Sequence, residues 1–389
     1  MIGEVRVCLP ALRHNARMLR DLIAPAKAAF VVKSNAYGHG SVETALAIED
    51  LASQLCVYSL EEAVVLRDGG ITAPIAILGP VPDARLDDAL GAKAAIALWD
   101  TRAYVHRVAE IARNRRRTFP VHVKIDSGTT RLGLDPRDAA DAIEDYARKP
   151  ELEIAGLFSH LASAEELDSP FTQRQLDRFM HVVAQVAPVL HARGVHPLRH
   201  IAASAAAMLW PQTRLDLARF GIALYGLWPS AQTREAMAPA GLHLLPALSF
   251  VSALVSVREI EPGTSVGYGG TYHAALRMRV GVVPLGYADG IPRLLSNHGA
   301  FVVDGARCPI VGRVCMNMTM LDLTGAPSAR PGSRVTLIGR DGEASVGADD
   351  WADWAQTINY EIVARIPAEI PRRYEETSAP AGTLNVQVP

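Results

Sequence analysis

Over roughly the first 230 positions, short runs rich in apolar and β-branched residues alternate with longer stretches in which apolar positions recur every three or four residues. The short runs predict strands at Phe30–Val32, Leu55–Tyr58, Pro74–Leu78, Ala94–Leu98, Val121–Ile125, Ile154–Phe158, Arg199–Ile201 and Phe220–Tyr225. Between them, the longer stretches predict helices at Leu12–Leu22, Val42–Leu51, Leu60–Arg67, Ala103–Arg113, Arg137–Arg148 and Phe171–Leu190. Eight strands alternating with helices are the pattern of a parallel α/β architecture, so a (β/α)8 TIM-like barrel is expected over 10–235. The rhythm breaks across Ser230–Pro246, which is rich in Ala, Pro and Gly. Longer β-patterned runs follow at Ala247–Ile260, Arg277–Leu285, Ala300–Val303 and Arg334–Gly339, interrupted by one helix at Asp349–Thr357. A C-terminal mainly-β domain is therefore expected over 236–389, with the alternating run Val5–Leu9 in the N-terminal segment 1–9 available to join its sheet. The tail from Glu375 to Pro389 is weakly patterned, and no internal repeat is evident.

Composition narrows the function classes. The chain has 389 residues, of which 49% are hydrophobic and 21% charged, enough apolar material for two cores. A net charge of −2 leaves no electrostatic footprint for nucleic acid or an anionic membrane, and the run Arg113-Asn114-Arg115-Arg116-Arg117 reads as a solvated helix end. The start, Met1 to Cys8, lacks a basic segment followed by an apolar core, and no stretch is apolar for long enough to span a bilayer, so a cytoplasmic location is expected. Cys8, Cys56, Cys308 and Cys315 are scattered without metal-ligand spacing, which suits reduced thiols and no metal site.

Lys33 carries the most chemistry. It closes the apolar run Ala28-Ala29-Phe30-Val31-Val32 and opens Ser34-Asn35-Ala36-Tyr37-Gly38-His39-Gly40. An ammonium at the end of a buried strand is costly to desolvate, and arginine is the default cation in a chain with five lysines. The chemistry that needs a lysine amine and cannot use guanidinium is Schiff-base formation with a carbonyl, above all the aldehyde of pyridoxal 5'-phosphate.

The run Val32-Lys33-Ser34-Asn35-Ala36-Tyr37-Gly38-His39-Gly40 resembles the cofactor-lysine motif of alanine racemases, pyridoxal-phosphate enzymes of the barrel fold type. The similarity recurs in family order in Lys124–Gly133, Arg219–Gly226, Val266–Gly269, Gly286–Gly290, Gly312–Asn317 and Ile358–Glu361, over nearly the whole chain. The resemblance implies that Lys33 holds the cofactor, that Tyr37, Ser204, Gly221, Ile222 and Tyr360 form its phosphate cup, that His160 is among the residues binding it, and that Arg219 faces its ring nitrogen. A carboxylate at that position would keep the nitrogen protonated, whereas an arginine disfavours the proton and so favours return of the proton to Cα. Racemisation needs a proton removed from one face and delivered to the other, so a second acid/base is expected; the resemblance assigns it to Tyr268, reaching the site of the other subunit of a homodimer. A phenol is a poor base at neutral pH unless nearby cations favour its deprotonated form, and Arg131 and His160 match the family positions for this. The same resemblance gives the carboxylate of an amino-acid substrate to Arg131 and the backbone N–H of Met316, and matches Tyr287, Arg293, Arg313 and Ile358 to the corridor leading in.

Three positions need separate mention. Where the family usually has His-x-Ala-Asn-Ser, this chain has His200-Ile201-Ala202-Ala203-Ser204; where it commonly has Met-Asp, this chain has Met316-Asn317. Lys124 matches a lysine that is carbamylated in some relatives. The resemblance thus implies L-/D-alanine interconversion, supplying D-alanine for peptidoglycan; the alternatives are a broader amino-acid (serine) racemase and a non-catalytic pyridoxal-phosphate-binding protein, which would not need the motifs around Tyr268 and Met316.

Overall fold

The structure, a computed structural model, describes residues 3–99 and 102–376; most of the weakly patterned tail lies outside the described residues. The described residues divide into two units, one lying within 12–34 and 41–245, the other of 3–11, 35–40 and 246–376. In the first, the strands Lys27–Val31, Gln54–Val57, Ile75–Ile77, Ala94–Leu98, Phe119–Lys124, Leu152–Phe158 and Leu198–His200 pair in parallel in chain order, and Leu217–Phe220 returns to pair with Lys27–Val31. Backbone bonds from Asp216 N to Arg199 O and from Arg219 N to Ala202 O, both 3.1 Å, bring the last strand beside Leu198–His200. The ring is thus a nearly closed eight-stranded barrel, as the strand–helix alternation predicts.

Local sequence explains the helices around it. Leu60–Asp68 starts from a capping box in which Ser59 and Glu62 satisfy each other's backbone N–H groups. Pro136–Ala147 has Asp135 as N-cap with proline in its first turn. Leu9–Ile23 starts earlier than expected because Pro10 has no N–H to give a sheet but is well suited to a first helical turn. Three short helices, Leu86–Gly91, Ser204–Leu209 and Ala231–Met237, were not expected; none is long enough to display a helical period. The predicted strand Phe220–Tyr225 is corrected: the strand ends at Phe220, and Ile222–Tyr225 is a 3-10 helix closed by Gly226 at φ 81°. Ile222, Ala223, Leu224 and Tyr225 are all buried, and a short run buried on every side has no periodicity to separate strand from helix.

In the second unit, Ala306–Pro309, Ala300–Val303, Arg334–Asp341, Leu248–Ala253, Gly3–Cys8 and Arg372–Glu375 form one sheet in that order, with Ala344–Val346 paired to Arg334–Asp341. The N-terminal strand lies antiparallel to Leu248–Ala253 and parallel to Arg372–Glu375. A second sheet joins Ser256–Ile260, Met278–Val283 and Thr319–Asp322. The single run expected over Ala247–Ile260 is therefore two strands: Leu254 N bonds Ser333 O and Val255 N bonds Val282 O, so the chain crosses between sheets there. The expected helix is observed at Ala348–Ala355, followed by a second, Asn359–Ala364, which the sequence reading missed.

One barrel detail positions the site. The pairing of Phe119–Lys124 with Leu152–Phe158 shifts register between Val121 and His122, opposing His122 to Gly156. A Cβ on Gly156 would stand 2.2 Å from His122 Nδ1 and 3.0 Å from His200 Nε2. Gly156→Ala is expected to destabilise the barrel by about 1–3 kcal/mol through overpacking, read as a lower midpoint of urea unfolding; an unchanged midpoint would mean that the histidines move aside freely.

Candidate active site

The C-terminal ends of the barrel strands gather four cationic side chains. Lys33 follows Lys27–Val31, Lys124 ends Phe119–Lys124, Arg131 lies in the loop after it, and Arg219 sits inside Leu217–Phe220. Burial lowers the Lys33 pKa, Arg131 lowers it further, and Glu62 opposes them. Lys124 is pushed down to about 8 by burial, with Arg131 and Arg219 adding to the effect; its ammonium lies 5.6 Å from the centre of the Phe158 ring.

Arg219 is fully buried, and burial pushes its pKa down to about 10, so it remains charged at neutral pH. Its bonds go to neutral groups: Nη1 to His200 Nδ1 at 2.6 Å and to His200 O at 3.2 Å, Nη2 to Ser159 O at 2.8 Å and to Ile201 O at 3.3 Å. The guanidinium has no acceptor role, so His200 Nδ1 accepts and its proton sits on Nε2, donating to His122 Nδ1 at 2.9 Å. That leaves the His122 proton on Nε2, which faces Gln54 Nε2 at 3.2 Å while Gln54 Oε1 is buried without a partner. The His122 N–H is satisfied where the Gln54 carboxamide presents its oxygen to it. Burial, reinforced by Arg219, pushes His122 down to about 4 and His200 well below its ordinary value, so two neutral imidazoles link the charged Arg219 to Gln54.

His160 differs from expectation. It lies 3.5 Å from Arg219 Nη2, and burial, with Arg219, Arg131, Lys124 and Lys33 around it, pushes its pKa to about 3. It is a neutral imidazole at physiological pH and cannot supply positive charge to a phenol. The Gly221 N–H donates to Ser204 Oγ at 3.1 Å, which leaves the hydroxyl proton of Ser204 to donate to a ligand, with Ile222 opening the adjacent 3-10 turn. Ala203 is extended and makes no side-chain cap to the helix that Ser204 begins.

Two residues were missed by sequence reasoning. Asp126 Oδ1 accepts from Gly128 N at 2.9 Å, Thr129 N at 2.8 Å and Thr130 N at 3.2 Å, and Oδ2 from Arg131 N at 3.2 Å, so this carboxylate shapes the loop that presents Arg131. Burial works against its charge, but the backbone N–H groups outweigh burial and hold its pKa below the ordinary value. Gly133 belongs to the same design, since a Cβ there would meet Asp126 N at 2.4 Å. Glu62, already in its capping box, also accepts Ser34 N at 2.6 Å and so touches the residue next to Lys33. An Asp-x-Gly-Thr loop and a Ser-x-x-Glu cap were the available signals. A groove of about 680 Å³ opens at the other end of the barrel strands, lined by Lys27, Leu157, His191, Arg199 and Asp216 among others; none of the predicted site residues lines it.

The β-rich unit holds the other predicted residues. Tyr268 is 72% exposed on a turn flanked by Gly267 at φ 76° and Gly269 at φ 73°. A Cβ on Gly269 would stand 3.1 Å from Arg313 Nη1, so the tyrosine turn rides closely over that guanidinium. Exposed Met316 lies in a loop locked to the next by Tyr287 N to Cys315 O and Ala288 N to Met316 O, both 2.9 Å. Gly286 permits this, because a Cβ would meet Cys315 O at 2.1 Å. Asn317 Nδ2 donates to Asp289 Oδ2 at 3.3 Å, a bond that an aspartate at 317 could not make without facing one carboxylate with another. Tyr37 and Tyr360 lie with ring centroids 6.3 Å apart, inclined at 52°.

Residues 7–229 match the family profile of the alanine racemase N-terminal domain, and 247–374 that of its C-terminal domain. The chain is 39% identical over 370 residues to the alanine racemase of Symbiobacterium thermophilum, covering 95% of this chain and 96% of that protein. It is 39% identical over 364 residues to that of Syntrophobacter fumaroxidans, covering 93% and 94%. Among solved structures, the alanine racemase of the D-cycloserine-producing Streptomyces lavendulae superposes with a TM-score of 0.90 at 34% identity, over 97% of this chain and 98% of that one. The Bartonella henselae alanine racemase with covalently bound pyridoxal phosphate does so with a TM-score of 0.84 at 26% identity, over 96% and 100%.

Glu62 is the carboxylate that raises the Lys33 pKa, so removing its charge lowers that pKa further. Glu62→Gln keeps the capping box and is expected to shift the pH dependence of Lys33 modification by an amine-reactive reagent toward lower pH. A shift toward higher pH would overturn this assignment of signs.

Proposed function

The chain belongs to the alanine racemase family and interconverts L- and D-alanine with pyridoxal 5'-phosphate, and on that premise we propose how its own residues divide the work. The observation that carries the reading is the Lys33 amine at the barrel mouth, its pKa lowered by burial and by Arg131. On the barrel unit, an amine of lowered pKa suits the cofactor's aldehyde, and the Ser204 hydroxyl and the Ile222 backbone suit donors to its phosphate oxygens; on the β-rich unit, the family resemblance gives the phenols of Tyr37 and Tyr360 the same donor role. When bound, pyridoxal 5'-phosphate supplies an aldehyde for an amine and a conjugated ring that accepts negative charge from Cα.

Lys33 holds the cofactor at rest and, once displaced, moves the proton on one face of Cα. A base confined to that face returns the proton where it came from, so inversion requires Tyr268 on the other. Arg131 grips the substrate carboxylate from the loop shaped by Asp126, with the Met316 N–H as second donor. Arg219, charged and held by neutral partners, disfavours a proton on the ring nitrogen, limits the charge drawn from Cα and so favours reprotonation there. His160 acts as a neutral hydrogen-bonding group beside it. Lys124, with its lowered pKa and Arg131 nearby, is suited to carbamylation, which would give Arg131 a fixed counter-charge.

Tyr268 of one subunit is proposed to serve Lys33 of the other in a homodimer. Tyr268, Tyr287, Leu294, Met316, Met318 and Ile358 expose large apolar side chains on the β-rich unit, which supports covering by a second copy. No helix among the described residues is long and apolar enough to cross a membrane. A cytoplasmic enzyme supplying D-alanine to peptidoglycan is the proposed setting.

The test is incubation of the cofactor-loaded protein with L-alanine, L-serine and L-lysine separately, resolving enantiomers over time. Alanine is expected to racemise fastest, and a preference for serine or lysine would overturn the substrate assignment. Tyr268→Phe is expected to slow exchange of the α-proton of L-alanine with deuterium more than that of D-alanine. Mixing inactive Lys33→Ala and Tyr268→Phe subunits should restore part of the activity, since one site of the heterodimer keeps both groups. Equal loss from both enantiomers, or no restoration despite subunit exchange, would remove Tyr268 from this role.

A further inference from the structure

The segment that carries Tyr37 is held in a backbone conformation that L-residues avoid. Ser34, Asn35, Ala36 and Tyr37 have φ of 53°, 52°, 51° and 53°, one turn of left-handed helix, in which each residue is disfavoured by about 1–2 kcal/mol. Such a turn persists only where its surroundings over-determine it. Within the β-rich unit, Gly40 N bonds Asn35 O at 2.9 Å, His39 N bonds Ala36 O at 3.0 Å, and the buried His39 ring donates from Nδ1 toward Ala36 O at 3.1 Å and Tyr37 O at 3.0 Å. Two glycines bring the segment against its neighbours: a Cβ on Gly38 would stand 2.1 Å from Val363 O, and one on Gly40 would stand 1.8 Å from Tyr374 Oη.

Arg372 joins this segment to the one that carries Tyr360. Its Nε donates to Gly38 O at 3.2 Å and its Nη2 to Ile366 O at 3.0 Å, while Nη1 donates to Pro367 O and Ile370 O. Ile366 lies two residues after the end of helix Asn359–Ala364, whose Val363 carbonyl is the atom that Gly38 approaches. One guanidinium therefore ties the exit of the left-handed turn to the exit of the Tyr360 helix, and the two rings stand 6.3 Å apart between those ties. A planar fork with five donors can serve four carbonyls from two segments at once; a lysine ammonium has three donors and a single centre.

We propose that Arg372 is a positioning residue for the cofactor's phosphate: by bonding Gly38 together with Ile366, Pro367 and Ile370, it sets the spacing of Tyr37 and Tyr360, with His39 locking the turn from within. This rests on the reading that the two phenols meet the phosphate. The experiment compares pyridoxal 5'-phosphate with pyridoxal, which lacks the phosphate, by titrating each into cofactor-free protein and following the visible absorbance of the Schiff base. Arg372→Met is expected to weaken pyridoxal 5'-phosphate about tenfold or more, a loss of about 1.4 kcal/mol, while pyridoxal binding changes less than twofold. Arg372→Lys should fall between, and adding Tyr37→Phe to Arg372→Met should cost less than Tyr37→Phe costs alone. Equal weakening of both ligands, or no weakening of either, overturns the proposal, because a merely structural arginine would not distinguish them. Should Arg372→Met fail to fold, Arg372→Lys is read by the same ratio. Wild-type protein that binds both ligands alike would instead refute the phosphate reading itself.

Discussion

Burying the Arg219 guanidinium is the constraint around which the barrel interior is arranged. A charge taken out of water must be met by hydrogen bonds or by a partner of opposite sign, and here it is met by the carbonyls of Ser159, His200 and Ile201 and by an imidazole nitrogen. Each of those answers makes a further demand. His200 must stay neutral and carry its proton away from the arginine, so it needs His122 as acceptor; His122 needs Gln54, and the imidazole pair needs the space opened by Gly156 and the register shift opposite it. The sequence around Arg219 is thus answered by side chains on the strands Gln54–Val57, Phe119–Lys124 and Leu198–His200.

The same logic explains why the barrel mouth is suited to an anionic ligand. Beyond burial, Arg131 lowers the proton affinity of Lys33 and of Lys124, and Arg219 that of Lys124, while Glu62 works against this at Lys33 and Asp126 at Lys124. Among the described residues, the Asp126 carboxylate is occupied by backbone N–H groups and Glu62 by its cap and Ser34. A dianionic cofactor and a substrate carboxylate would supply the negative charge that these cations lack, and until then burial and the neighbouring arginines hold both lysine pKa values below the ordinary one. Charge that is unfavourable for the free protein is in this way favourable for nucleophilic and proton-transfer chemistry.

Much of this was legible in the chain. The strand–helix alternation gave the barrel because parallel strands need long crossovers, and the motifs holding Lys33, Arg219 and Tyr268 were recognisable because glycines and charged residues stand at fixed offsets within them. Where reading failed, local pattern was ambiguous or irrelevant. Phe220–Tyr225 is apolar and buried on all sides, so strand and 3-10 helix look alike in sequence. His160 was expected to be a cation, but burial, reinforced by four cations that converge on it from elsewhere in the barrel, lowers its pKa to about 3. Nor does local pattern record that the Gly221 N–H meets Ser204 Oγ, seventeen residues earlier in the chain.

By itself, the sequence determined which chemistry was available: an amine at a strand end, a phenol on a glycine turn, an arginine where a carboxylate would favour other reactions, and the order in which barrel and β-rich unit follow. These are properties of residue type and short spacing, because periodicity and backbone freedom act over a few positions. Only the tertiary structure decided the protonation of the histidines, the left-handed turn after Lys33 and the tie from Arg372 to Gly38, 334 positions away. Hydrogen bonds and charge interactions depend on distance in space, and no local pattern records which remote group the fold will bring within reach of another.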